Sequence, residues 1–114
     1  MNARTRVVAL DATQAKAFCN RLWLELTIAG RIIAADDALD AVSQLSALKV
    51  LNEIQHRVWG AYASPGPDAL AHLLDRIVAY CGPIPALGIH VRVALDCALQ
   101  TVAGTGVATD STDG

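Results

Sequence analysis

A surplus of charge of either sign is the first thing this sequence lacks. Lys and Arg number 9 against 11 Asp and Glu, a formal net charge of −2 with a pI near 5.8. That balance argues against a dedicated nucleic-acid binder, which carries a basic stripe. Long apolar runs are also missing. None approaches the roughly 18–20 residues of a membrane-spanning helix. The stretch Val7–Leu10 is shorter than the about 7–15 residues of a signal-peptide core, and Asp11 closes it. We therefore expect a cytoplasmic protein with no membrane or nucleic-acid partner.

Paired cysteines are absent as well. Cys19, Cys81 and Cys97 are widely spaced and lie among apolar neighbours, as buried free thiols do in a reducing compartment. No G-x-S-x-G, Cys–His spacing or glycine-rich phosphate loop occurs. No repeat of 20–50 residues is visible. These absences remove the common catalytic signatures, and we expect a non-enzyme that needs no cofactor.

What the chain does have is core material, 54% hydrophobic against 18% charged, in 114 residues. That excludes global disorder and limits the chain to one domain. Residues 1–103 are expected to form it, with an extended or loosely ordered N-terminus over the first ten. Residues 104–114, rich in Gly, Thr, Ser and Asp, read as a flexible tail.

Two proline-containing breaks, Ser64–Pro67 and Gly82–Pro85, and the acidic stretch Ala34–Asp40 divide the rest into four segments. The first runs from about Thr13 to Ile33 or Ala35, capped by Asp11 or Thr13. Its residues Ala15, Phe18, Cys19, Leu22, Leu26, Ala29 and Ile33 form one apolar stripe. The second, from Asp37 or Asp40 to Ala63, carries the seam Ala47, Leu51, Ile54, Val58, Ala61. The third, Pro67–Cys81, places Leu70, Leu73, Leu74, Ile77, Val78 and Cys81 on one face, with Gly82 suited to a left-handed cap. The fourth, from Pro85 to about Gly104, fits a helix through Leu87, Val91, Ala94, Leu95, Ala98 and Val102.

The predicted fold is all-α, a small four-helix bundle with short loops. Residues 88–95 also alternate with a strand period. The alternative is a two-stranded ribbon formed by 4–10 and 88–95.

Apolar residues overflow these stripes. Trp23, Leu24 and Ile28 flank the polar side of the first helix, Leu45 and Trp59 that of the second, and Ile89 and Val93 leave the stripe of the fourth. An exposed apolar surface of more than a few hundred Å² marks an interface. The sequence therefore predicts a helical protein-interaction domain that self-associates, with another protein as a possible partner. Part of this surplus could instead lie beneath the N-terminal segment. The polar and aromatic cluster on the second helix, Asn52, His56, Arg57 and Trp59, joined by Trp23 and Arg31 of the first, is the predicted contact surface.

Glu53-x-x-His56 has the spacing of a carboxylate-bridged di-metal bundle, but its second copy is missing and it lies off the core seam. No metal site is expected. The alternative function is a small-molecule- or metal-binding helical bundle, with Glu25 or His90 lining a pocket between helices.

Overall fold

A computed structural model of the chain describes residues 3–107, with side chains for residues 4–102. It is all-α. Among the described residues there are five helices and no strand: α1 Ala3–Val8, α2 Ala12–Ala34, α3 Ala41–Ala63, α4 Pro67–Cys81 and α5 Pro85–Val107.

The helix starts follow from local chemistry. Asp11 caps α2 by accepting from the Gln14 backbone N–H at 2.7 Å, and Gln14 Oε1 accepts from the Asp11 N–H at 3.1 Å. This reciprocal box satisfies two otherwise orphaned donors. Asp40 caps α3 in the same way through the Ser43 N–H, at 2.7 Å. Pro67 opens α4 at the position where a missing N–H costs nothing.

Helices α2 to α5 close a ring in which each packs on its neighbours in sequence, and α5 returns to α2. Residues at the C-terminal end of α2, the N-terminal end of α3 and the N-terminal end of α5 line one common cleft. Neighbouring helices α2 and α5 are therefore antiparallel, as are α2 and α3. The predicted stripe of α2 and the seam of α3 are all buried, as are Leu87, Val91, Ala94, Ala98 and Val102 of α5. That burial follows the helical period through 88–95, and it overturns the ribbon alternative. Ile89 and Val93, which supplied the strand-like alternation, point outward instead.

Three further expectations are corrected. The N-terminus is not extended: residues 3–8 form α1, which packs against α4 and α5 and buries Val7 completely. The core left open between those two helices overrides the weak helix preference of the β-branched run. An ion pair between Arg4 and Asp75 ties α1 to α4 at the surface. Val78, assigned to the inner face of α4, is 72% exposed. Gly82 is right-handed, with φ −51° and ψ −48°, so its backbone does not require glycine. The helical path of α5 continues to Val107. Of the expected tail, residues 108–114 lie outside the described residues.

Candidate functional site

Two surfaces flank α2. The first is the α2/α3 face. Here Gln55 of α3 donates to the Trp23 carbonyl at 3.1 Å and to Thr27 Oγ1 at 2.9 Å. Thr27 Oγ1 in turn donates to the Trp23 carbonyl, also at 3.1 Å. At the other end, the Gln44 amide donates to the Ile33 and Asp36 carbonyls at 3.1 and 2.9 Å. The last carbonyls of a helix lack partners within it, and here a side chain of the next helix supplies one. These bonds fix the α2–α3 hairpin.

On that scaffold the aromatic rings stack in a row. Trp23 and Trp59 have centroids 5.8 Å apart at a 39° tilt, and Tyr62 meets Trp59 edge-on at 5.2 Å. Lys16 Nζ lies 5.5 Å from the Tyr62 ring centroid, within cation–π range. Trp23, Asn52, His56 and Trp59 line a small cleft of about 120 Å³. It continues into a dip of about 300 Å³ bordered by Gly30, Arg31, Leu48 and Asn52. The structure thus brings Trp23, Arg31, Asn52, His56 and Trp59 onto one face. Arg57 is the exception. It lies on the α3/α4 flank, where its guanidinium donates to Tyr80 Oη at 3.4 Å, a long contact. His56 borders that α3/α4 cleft as well, so it stands on the ridge between the two flanks.

The second surface is the α2/α5 face. Leu24, Ile28 and Ile32, four residues apart on α2, are 44%, 49% and 51% exposed. Ile89 and Val93 of α5 are 68% and 55% exposed. By helical rotation from the buried stripes, Ile28 and Ile32 lie on the flank of α2 that meets α5, and Ile89 and Val93 lie on the flank of α5 that meets α2. The antiparallel packing brings the Ile32 end of α2 beside the start of α5. The result is an aliphatic strip bordered by one charged pair: Glu25, next to Leu24 and on the flank of α2 that meets α5, pairs with Arg21 at 2.8 Å. Ile32 is the member that sequence reading missed, although its spacing from Leu24 and Ile28 carries the signal.

Chemistry elsewhere is sparse. Burial pushes the Cys19 thiol up to about 11 and raises that of Cys81, so neither is a ready nucleophile at neutral pH. Glu53, His56 and His72 border a cleft of about 600 Å³ between α3 and α4. Another, of about 520 Å³, lies between α1, α4 and α5, with Arg4 and Arg92 among its lining residues. Glu25 and His90 contribute to none of these clefts. Among the described residues no group of three or more His, Cys, Asp or Glu side chains could hold a metal ion. No helix among them is long and apolar enough to cross a membrane. No family model, curated protein or solved structure matches this chain.

Proposed function

We propose that this domain works by contact rather than catalysis, and that its primary contact is with a second copy of itself across the α2/α5 face. The observation that carries the reading is the strip Leu24, Ile28, Ile32, Ile89 and Val93, each about half exposed or more in the lone chain. Together these side chains offer roughly 400 Å² of apolar surface, about half of one partner's share in a standard interface of ~800 Å² per side. Flanking small residues such as Ala35 and Ala86 would extend it. A two-fold axis over this face sets the strip against its own copy, which suits an isologous interface. The cytoplasm is the compartment that fits three free thiols.

Ile28 lies midway along the α2 part of the strip and has no role in the core, so Ile28→Asp tests the reading without touching the fold. Burying an unpaired carboxylate at each copy's contact should weaken association at least 100-fold, about 3 kcal/mol. Sedimentation equilibrium should give twice the 12.0 kDa chain mass for the natural protein and the single mass for the variant, with unchanged helicity. A natural protein that stays at the single-chain mass through the high micromolar range sinks the proposal.

A further inference from the structure

The groove between α2 and α3 is separate from the α2–α5 seam and needs its own account. Its cations are Lys16 towards one end and Arg31 at the other. Neither has a carboxylate partner among the described residues. Between them α2 presents Asn20, Trp23 and Thr27, and α3 presents Leu48, Asn52, His56 and Trp59, with Glu53 at the outer edge of the face beyond His56. Glu25 faces the α5 side, and the loop acids Asp36 and Asp37 lie beyond the last turn of α2. In a chain of net charge −2 this is a locally cationic face built around exposed aromatic surface.

Its polar groups divide into used and unused. The Gln55 amide is committed to Trp23 and Thr27. The side chains of Asn52 and His56 are exposed and make no hydrogen bond among the described residues. A free carboxamide beside a tryptophan can pair with a peptide group, donating to its carbonyl and accepting from its N–H. Gly30 leaves the floor of the adjoining dip open. A Cβ there would meet Leu51 Cδ1 at 3.7 Å and Leu48 Cδ2 at 3.8 Å, which are ordinary contacts. Helix packing therefore does not demand the glycine.

From this juxtaposition we infer that the α2/α3 groove binds an extended acidic segment of a partner protein, with carboxylates at its two ends and an apolar residue at its centre. Trp59 and Trp23 receive the central side chain, Asn52 holds the backbone, and Lys16 and Arg31 pair with the terminal carboxylates. The 15-residue separation of Lys16 and Arg31 on α2 is about 22 Å, the span of roughly seven extended residues. Charge complementarity selects an acidic partner. A single-stranded nucleic acid fits less well, because two cations neutralise few phosphates.

Selection of random displayed heptapeptides on the purified protein tests this, followed by fluorescence polarisation of the enriched peptides. The expected pool has Asp or Glu towards both ends and an apolar or aromatic residue between them. Arg31→Glu and Trp59→Ala should each weaken binding at least tenfold. Both positions are exposed, and unchanged circular dichroism will show that each variant is folded; Arg31→Glu suffices if Trp59→Ala is not. Ile89→Asp, on α5 and away from both clefts, should leave peptide affinity unchanged, which separates this groove from the self-association face. The inference is overturned if no peptides are enriched or the pool is not acidic. It is also overturned if Arg31→Glu binds as the natural protein does, or if a dodecamer of deoxyuridine binds more tightly than the peptides.

Discussion

Val7→Ala measures whether α1 belongs to the domain. Val7 is 0% exposed on a helix of only six residues, between α4 and α5. Truncation to alanine removes two carbons, about 1.6 kcal/mol at ~0.8 kcal/mol each. If α4 and α5 do not close on the gap, the cavity adds up to about 1 kcal/mol. For a domain of this size each kcal/mol lowers the melting temperature by roughly 4 °C, so the expected drop is about 6–10 °C. The Arg4–Asp75 ion pair is the internal control. Its side chains are 50% and 61% exposed, so Arg4→Ala should cost less than about 1 kcal/mol after solvent screening. Thermal melts followed by circular dichroism, at one fixed protein concentration because association also shifts the midpoint, read both. A Val7→Ala midpoint within about 1 °C of the natural protein would refute the docking of α1 and the energetics argued from it.

Two more outcomes follow from local geometry. Gly30→Ala replaces a mid-helix glycine where the new methyl group finds only ordinary contacts, so chemical denaturation should show a gain of about 0.5–1 kcal/mol. The Asp40 carboxylate is held below its ordinary value of 3.8 by the hydrogen bonds from Ser43. The folded state therefore binds its proton less readily than the unfolded chain. The cap's contribution should be present above the unfolded value and fade as the pH falls through the lower folded one. Melting curves between pH 2 and pH 5 should show that loss in the natural protein and a smaller one in Asp40→Asn.

Periodicity made most of the interior legible. Phe18, Leu22 and Leu26 recur every four residues over more than two turns, and only a buried helix face explains such a run. Pro67 and Pro85 marked two starts because proline tolerates the first helical position and little else in a helix. The short α1 was not legible, since six residues show no period and their conformation is decided by the space they fill. Val78 has the spacing of a core residue, but the width of the buried stripe depends on how closely α3 and α5 approach α4. The five groove residues could be gathered from composition and spacing, whereas the placing of Arg57 on the α3/α4 flank, across the ridge that His56 forms, depends on how α4 docks and is not written in one helix. Which flank of α2 meets α3 and which meets α5 is a property of the closed ring, and no single helix encodes it.

Circular order has a consequence for how the chain assembles. Every seam of the ring but one joins helices consecutive along the chain, which short loops bring together at little entropic expense. The α2–α5 seam alone spans the two intervening helices. Contacts of large sequence separation form late. A nascent chain that has not yet released α5 would therefore hold a three-helix arc with one side of Phe18, Leu22 and Ala29 facing water. Synthesis of α5 is the step that seals this ring, and the same step completes the aliphatic strip, so under the proposed pairing a subunit becomes competent only once it is closed.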